Sequence, residues 1–347
     1  MRTLVTGASG FLGGRLAELL TDRGDRVRVL ARPTSALSHL AEVKPEVVHG
    51  ALEDPESLEL AVRGVDVIYH CAALSFDWGA WERFEAANVR GVENLARAAS
   101  RSQTLQRFVH VSSSDVYGYP ERPCDESGPL VDTGLPYNRS KVMGERILWR
   151  YHADGKLPLT VVRPVTIYGP RSKDIVLEVV KLLRSGSMAF VDRGRAPAGL
   201  TFVDNAAGAL IACARSPNAI GQAYNVQDGG PETWRDYVDA LADGLRLRRP
   251  WLSLPGGLAL GAASVLERAC RLFRTAGRPP LTRHSVLLLC RDQRFPTAKA
   301  QAELGFAPAI RFAEGIERTI RWVRERGLGN EAAPQVAPAQ PMATLRH

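Results

Sequence analysis

The chain has 347 residues, of which 45% are hydrophobic and 24% are charged, and its net charge is +8. This composition allows a full hydrophobic core and argues against disorder, and no apolar run reaches the about 18 residues that a membrane-spanning helix needs. The five cysteines are scattered without a Cys-x-x-Cys pair, so we expect reduced thiols, no metal site and a cytoplasmic location.

Strands and helices alternate through the first half of the chain. The predicted strands are residues 4–5, 26–30, 47–49, 65–69, 107–111 and 159–162. The predicted helices are residues 11–23, 54–62, 81–101 and 136–151. This alternation predicts an α/β fold with a parallel sheet that is covered by helices on both faces.

Beyond residue 170 the alternation becomes irregular, with more proline, more glycine and shorter elements. We expect residues 1–170 to form a first domain, with parts of residues 200–227 returning to its sheet. Residues 171–327 are predicted to form mainly a smaller lobe that closes over the strand ends and binds substrate. Residues 328–347 are rich in alanine, proline and glutamine, a composition that predicts a disordered tail.

A glycine-rich turn lies between the first strand and the first helix. Gly7 permits a tight turn, Gly10 lets the backbone approach a pyrophosphate, and Gly13 lets the helix pack closely on the strand. The N-terminus of the helix adds N–H groups and a positive dipole end. The turn therefore predicts a doubly wound parallel sheet of the Rossmann type that binds a dinucleotide. The predicted cofactor contacts in the turn are Gly7, Ser9, Gly10, Phe11, Leu12 and Gly13.

The end of the second strand bears on the choice of cofactor. An NAD site usually has an acidic residue here for the ribose 2′-hydroxyl, whereas this chain has Ala31 followed by Arg32. A guanidinium attracts a 2′-phosphate, which a carboxylate would repel. Arg32 therefore predicts a preference for NADP(H), with NAD(H) as the alternative if Arg32 is only a solvated loop residue.

Three polar residues form a candidate catalytic group. Tyr137 and Lys141 are four residues apart on one predicted helix face, and Ser113 follows the fifth strand at the edge where ligands bind. A nearby ammonium and an oxidised nicotinamide would lower the pKa of a tyrosine from its usual value of about 10. In the reductive direction Tyr137 would donate a proton to a carbonyl oxygen, Ser113 would polarise this oxygen, and Lys141 would hold the nicotinamide ribose.

With these motifs the chain resembles an extended short-chain dehydrogenase/reductase over residues 1–327. The matching marks are Thr6-Gly7-x-x-Gly10-x-x-Gly13, His70-Cys71-Ala72-Ala73, Asn88-Val89-x-Gly91, Ser113-x-x-Val116-Tyr117-Gly118, Tyr137-x-x-x-Lys141 and Arg163-Pro164-x-x-x-Tyr168-Gly169-Pro170. The resemblance implies that Asn88 orders the proton-relay helix, that Ala72 and Ala73 line the cofactor, and that Pro164 and Val165 pass close to the nicotinamide.

One departure from the family pattern concerns the adenine of the cofactor. Many members have an aspartate where this chain has Ala51, so the adenine contact differs here. Leu52 is the predicted cofactor contact in this segment.

Two enzyme branches of the family compete. Members of the sugar branch, which are nucleotide-sugar epimerases and dehydratases, resemble the pattern Asn-x-Tyr-Gly-Pro, and this chain has Thr166 in place of the asparagine. The dehydratases of that branch need an Asp-Glu pair where this chain has Ser114-Asp115. Features that resemble 3β-hydroxysteroid dehydrogenases are Ala73-Leu74-x-x-x-Trp78-Gly79, Thr233-Trp234 and Pro279-Pro280-Leu281-Thr282-Arg283. We therefore favour a ketoreductase of the steroid-dehydrogenase-like branch. A sugar epimerase or dehydratase and a non-catalytic nucleotide sensor are the alternatives.

The C-terminal half is basic. Between Leu241 and Phe295 the chain has ten arginines and three acidic residues, but it lacks lysine and has few aromatic residues there, so we expect no nucleic-acid partner. A predicted apolar helical stripe comprises Leu258, Ala262, Val265, Leu266, Ala269, Leu272 and Phe273. We expect this stripe to cover a pocket for a lipophilic small molecule, with an ordinary amphipathic helix as the alternative.

Arginines, including Arg268, Arg271 and Arg274, lie largely on the other side of this predicted helix. They would meet water, an acidic substrate group or the anionic head groups of a peripheral membrane contact. The family resemblance also implies a homodimer built on helices 81–101 and 136–151, unless their apolar stripes belong to the intrachain core.

Overall fold

The computed structural model of the protein describes residues 1–273, 275 and 277–327. The strands are β1 (Arg2–Thr6), β2 (Arg26–Ala31), β3 (Glu46–His49), β4 (Val67–His70), β5 (Arg107–Val111), β6 (Leu159–Pro164), β7 (Thr166–Tyr168), β8 (Phe190–Val191), β9 (Leu200–Phe202), β10 (Gln222–Val226) and β11 (Ser253–Leu254). The predicted tail, residues 328–347, and Arg274 lie outside the described residues.

Seven of these strands form one parallel sheet in the order β10-β6-β5-β4-β1-β2-β3. The sequence predicted six of them, and the seventh, β10, pairs with β6 at the edge of the sheet. Every residue of β4 and β6 is buried, as expected for strands that are covered on both faces. The sheet confirms the predicted doubly wound α/β fold.

The helices are α1 (Phe11–Asp22), α2 (Pro55–Val62), α3 (Trp81–Phe84), α4 (Gly91–Ala99), α5 (Pro136–Ala153), α6 (Glu178–Arg184), α7 (Val203–Arg215), α8 (Trp234–Gly244), α9 (Gly256–Leu272), α10 (Arg283–Cys290), α11 (Ala298–Leu304) and α12 (Phe312–Glu325). Side-chain caps begin α2, α8 and α10. Asp54 accepts a hydrogen bond from the Glu56 N–H at the start of α2, and Thr282 and Ser285 form a capping box at the start of α10. Among the described helices, none is long and apolar enough to cross a membrane.

The segment predicted as one helix over residues 81–101 is not a continuous α-helix. A π-helical segment, Glu85–Arg90, separates α3 from α4, and α4 ends at Ala99. Apolar periodicity cannot distinguish this wider turn from an α-helix, because both keep one face towards the core. The π-helical segment contains Asn88, and segments of this kind are frequent at functional sites.

The C-terminal half has its own core beside the sheet. Two short parallel pairs, β7 with β9 and β8 with β11, support it. Its buried aromatic residues contact one another edge to face, as in the pair Tyr168 and Tyr237 with ring centroids 5.7 Å apart. This core holds the lobe next to the carboxyl ends of the central strands.

Candidate active site

The glycine turn after β1 is shaped by close contacts that exclude any side chain. Gly7 has a φ of +74°, and a Cβ there would lie 2.7 Å from the backbone of Ala72. A Cβ on Gly13 would lie 2.5 Å from the Gly7 carbonyl oxygen. Gly10 is the N-cap residue of α1 and donates its N–H to the Gly7 carbonyl at 2.9 Å. This cradle at a helix N-terminus fits the pyrophosphate of a dinucleotide.

The other predicted cofactor residues follow the carboxyl ends of neighbouring strands. Arg32 is exposed directly after β2, and Ala72 and Ala73 lie after β4. Pro164 is the last residue of β6, and Val165 follows it. Because parallel strands end at the same edge of a sheet, these residues share one edge with the glycine turn.

Leu52 lies in the turn between β3 and α2 and is buried rather than open. A Cβ built on Gly91 would lie 2.8 Å from its Cβ, so Leu52 packs against the start of α4. Asn94 donates its side-chain N–H to the Leu52 carbonyl at 3.0 Å. The segment therefore offers an apolar wall at the same edge of the sheet.

Helix α5 carries Tyr137 in its first turn and Lys141 one turn later. The Lys141 ammonium is buried and donates a hydrogen bond to the Val111 carbonyl at the end of β5, with 2.6 Å between nitrogen and oxygen. Burial lowers the pKa of Lys141 to about 8, although Glu145 opposes this change. Ser113 lies two residues after Val111, so the structure brings the predicted group of three together.

The pKa of Tyr137 lies above its usual value. Burial and the negative charge of Asp115 raise it, and a hydrogen bond with Ser113 opposes them. The Lys141 ammonium, which was expected to lower this pKa together with an oxidised nicotinamide, binds the Val111 carbonyl in the protein alone, and their joint effect stays a prediction. A raised pKa favours the protonated phenol, which is the state that a proton donor needs.

Asn88 connects α5 with the loop after β4. Its carbonyl oxygen accepts a hydrogen bond from the Leu74 N–H at 2.8 Å, and its amide nitrogen donates to the Ser140 hydroxyl at 2.9 Å. Ser140 in turn donates to the Tyr137 carbonyl at 2.8 Å. Asn88 therefore fixes the first turn of α5 against the loop that precedes α3.

Sequence reasoning missed a polar cluster beside Tyr137. The Tyr119 hydroxyl donates to Asp115 at 2.9 Å, and His284 Nε2 lies 3.5 Å from the same carboxylate. The rings of His284 and Tyr137 are 5.8 Å apart between centroids. Tyr119 has a φ of 61°, a strained conformation for a tyrosine. No local pattern marks His284, because its partners are far away in the sequence.

An ion pair joins the C-terminal lobe to the loop after β4, at the sheet edge that carries the candidate catalytic residues. Arg278 donates two hydrogen bonds to Asp77, both at 2.6 Å, and the Thr282 hydroxyl donates a third at 2.7 Å. Burial alone would raise the pKa of Asp77, but the Arg278 guanidinium holds it below its usual value. These contacts join the loop after β4 to the segment before α10, two stretches that the sequence singled out separately.

The predicted orientation of α9 was wrong. Leu258, Val265 and Leu272 are exposed, so the apolar stripe points to solvent rather than over a pocket. The inward face carries Ala259, Ala263 and Glu267. This orientation follows from close packing and ion pairing on the inner side, where Ala259 and Ala263 pack with Val191 and Val286 and Glu267 binds Arg283.

Comparisons with known proteins agree with this geometry. Residues 3–226 match the family described as the NAD dependent epimerase/dehydratase family. The chain is 32% identical, over 91% of its length and 95% of the relative, to the 4-hydroxy-2-methyl-3-oxo-4-farnesyl-3,4-dihydroquinoline-1-oxide ketoreductase of Stigmatella aurantiaca. It is 31% identical, over 92% of its length and 98% of the relative, to the 2-alkyl-3-oxoalkanoate reductase of Stenotrophomonas maltophilia.

A solved structure shares the fold. DesIV, a dTDP-glucose 4,6-dehydratase from Streptomyces venezuelae solved with NAD and TYD bound, superposes with a TM-score of 0.76. It is 27% identical in sequence, and the match covers 94% of this chain and 98% of that one.

Proposed function

Because the chain belongs to the NAD dependent epimerase/dehydratase family of extended short-chain dehydrogenases/reductases, we propose that it is a ketoreductase that prefers NADP(H) and acts on a lipophilic ketone. The family match confirms the resemblance that the motifs predicted, and with it the enzyme class. The cofactor preference, the substrate and the roles of single residues are proposals.

The observation that carries the proposal is the side-chain hydrogen bond between Tyr137 and Ser113, at the same sheet edge as the glycine turn. A bound nicotinamide cofactor supplies or accepts the hydride. In reduction Tyr137 donates its phenolic proton to the carbonyl oxygen, and the Ser113 hydroxyl polarises that oxygen. Lys141 would hold the ribose of the bound cofactor. In the oxidative direction the same groups act in reverse on a secondary alcohol.

The lipophilic substrate is supported by the names of two relatives. One contains a 3-oxo group next to a farnesyl-bearing carbon, and the other contains a 3-oxo group next to an alkyl-bearing carbon. The cluster of Asp115, Tyr119 and His284 would then face the polar end of the substrate. Because α9 turns its apolar stripe outwards, the pocket walls must come from other segments of the lobe.

Replacing Tyr137 with phenylalanine tests the reaction. We expect Tyr137→Phe to lower turnover of a long-chain 3-oxo compound at least about a hundredfold and to leave NADPH binding intact, because only the proton-donating hydroxyl is lost. Tyr151→Phe, on the same helix, is the matched control and should keep its activity. A Tyr137→Phe variant that retains more than about a tenth of the activity would contradict the assignment.

The second candidate, a nucleotide-sugar epimerase or dehydratase, is favoured by the 27% identity with DesIV. A ketone panel and UDP- or dTDP-sugars, each offered with both cofactors, separate the two functions. Turnover of sugar nucleotides without turnover of ketones would replace the ketoreductase proposal. NADPH binding without any turnover would indicate the third alternative, a nucleotide sensor.

Arg32→Ala tests the cofactor preference. The Arg32 guanidinium is exposed at the end of β2, where a 2′-phosphate would lie, so its loss should weaken NADPH binding and spare NADH. Arg23→Ala, at the far end of α1, should change neither dissociation constant. Equal dissociation constants of NADPH and NADH in the wild type would overturn the preference.

Three further statements stay predictions from the sequence. The division into a first domain, residues 1–170 with parts of 200–227, and a substrate lobe, residues 171–327, fits a reductase whose lobe sets the substrate class. The other two are a homodimer through residues 81–101 and 136–151 and a cytoplasmic location.

A further inference from the structure

An apolar ridge runs along the outer face of the C-terminal lobe. We define the outer ridge as Trp251, Leu258, Val265, Leu272 and Phe273, whose exposed fractions are 89%, 69%, 65%, 77% and 73%. Leu258, Val265 and Leu272 are spaced by seven residues, or about two helical turns, so they follow one line on α9. Large apolar side chains that are exposed next to one another mark an interaction surface.

Exposed arginines lie on α9 and in the segment that precedes it. Arg246, Arg248 and Arg268 are exposed, and in the part of the chain that the structure describes no ion pair involves them. Two of the acidic groups are paired, since Asp243 binds Arg249 at 2.8 Å and Glu267 binds Arg283 at 2.9 Å, and Asp192 accepts the Gly256 N–H at 2.8 Å at the start of α9. The ridge therefore combines apolar surface with uncompensated positive charge.

We propose that the outer ridge docks the protein on an anionic lipid surface. A helix with one exposed apolar face and flanking arginines lies in the plane of a membrane interface, where the apolar residues enter the acyl boundary and the arginines meet lipid phosphates. Trp251 at one end of the ridge suits the head-group level. In a twofold dimer built on this face, the unpaired arginines of two copies would confront each other.

The helix that carries the outer ridge contacts the loop after β4, which lies at the sheet edge with the candidate catalytic residues. Arg271, near the end of α9, stacks over the Trp78 ring at 5.2 Å, and Trp78 lies in the loop after β4. Beyond α9 the chain continues to Arg278 and Thr282, which bind Asp77 in that loop. Docking through α9 would therefore bring the entrance of the site close to the lipid. The docking itself does not depend on the proposed reductase activity.

Vesicle sedimentation of the full chain, without substrate or cofactor, tests the docking. We expect the wild type to sediment with vesicles of phosphatidylcholine and phosphatidylglycerol, far less with phosphatidylcholine alone, and less as salt increases. Val265→Asp combined with Leu272→Asp should lower the partition coefficient at least about tenfold, because two inserted apolar side chains are lost. Arg268→Glu should weaken binding to the anionic vesicles only.

Leu60→Asp is the matched control, since Leu60 is an exposed apolar residue on α2, away from the lobe. It should sediment like the wild type. Unchanged circular dichroism of the Val265→Asp/Leu272→Asp variant shows that the loss of binding is not unfolding. The proposal is overturned if the wild type ignores anionic vesicles or if Leu60→Asp loses as much binding. It is also overturned if the double substitution only converts a dimer into a monomer in sedimentation velocity.

Discussion

Helices α5 and α9 place their side chains in opposite ways. Helix α5 buries Lys141 and Glu145 and lies against the central sheet, whereas α9 exposes Leu258 and Val265 to solvent. Hydrophobic pattern alone therefore does not decide which face of a helix turns inward. In α5 the buried polar groups find partners on neighbouring strands, and the cost of removing them from water is offset.

The inner side of α9 is determined by close helix packing and by one buried carboxylate. Ala259 and Ala263 are small, so α9 approaches α10 closely, and larger residues on that face would keep the helices apart. Glu267 is accepted inside because the Arg283 backbone N–H and guanidinium both donate to it, at 2.7 and 2.9 Å. Leu260 packs with this inner side, whereas Leu258, Val265 and Leu272 lie on the outside.

The buried ion pair of α5 is expected to show the largest effect on the free energy of unfolding. Glu145 and Arg163 form an ion pair that is almost fully buried, and Ser112 donates a hydrogen bond to the same carboxylate at 2.6 Å. Glu145→Ala leaves a buried guanidinium without its counter-charge, so we expect a loss of about 3–5 kcal/mol in the free energy of unfolding. Chemical denaturation measures this change.

Two controls sharpen this first prediction. Glu59→Ala removes the exposed partner of Arg101 and should cost at most about 1 kcal/mol. Replacing both partners, as Glu145→Leu with Arg163→Met, should recover much of the loss. A Glu145→Ala variant as stable as Glu59→Ala would show that the pair does not hold α5 in place.

Lys141 predicts how stability depends on pH. Burial lowers its folded-state pKa from 10.5 to about 8. Between these values the unfolded chain binds a proton that the folded chain lacks, so stability rises with pH. We expect the free energy of unfolding of the wild type, relative to Lys141→Met, to rise by up to about 3 kcal/mol from about pH 8 to about pH 10.5.

Thermal or urea unfolding at several pH values measures this difference. Lys156→Met replaces an exposed lysine in the turn after α5, and its comparison with the wild type should show no such rise. A flat or falling difference for Lys141→Met would mean that the ammonium is solvated in the folded protein.

The two faces of α9 should respond unequally to substitution. Glu267→Ala leaves the Arg283 N–H without its acceptor and should cost about 1–3 kcal/mol of the free energy of unfolding. Val265→Ser, two residues away on the exposed face, should change it by less than about 0.5 kcal/mol. Urea denaturation of both variants measures the two changes in the free energy of unfolding. A larger loss for Val265→Ser than for Glu267→Ala would mean that the apolar stripe is buried.

Much of the fold and of the candidate site was predicted from local sequence patterns. The glycine turn, the alternation of strands and helices and the spacing of Tyr137 and Lys141 depend on a few neighbouring residues, and the sheet has the predicted parallel arrangement. Ser113 and Tyr137 meet because α5 lies against the end of β5, an arrangement that the order of strands and helices already implies. The π-helical segment around Asn88 was missed, since its apolar periodicity matches that of an α-helix.

The tertiary structure decided the rest. His284 reaches Asp115 and Tyr119 from a distant part of the chain, so no local pattern could reveal that cluster. The raised pKa of Tyr137 depends on burial and on the carboxylate of Asp115, which another segment supplies. The sequence by itself determined the nucleotide-binding sheet and the residues of the catalytic helix, because these follow from backbone sterics and helical periodicity. Only the packed lobe decided that α9 turns Leu258, Val265 and Leu272 outwards, because small inner residues and a buried carboxylate with hydrogen-bond partners outweigh the hydrophobic pattern there.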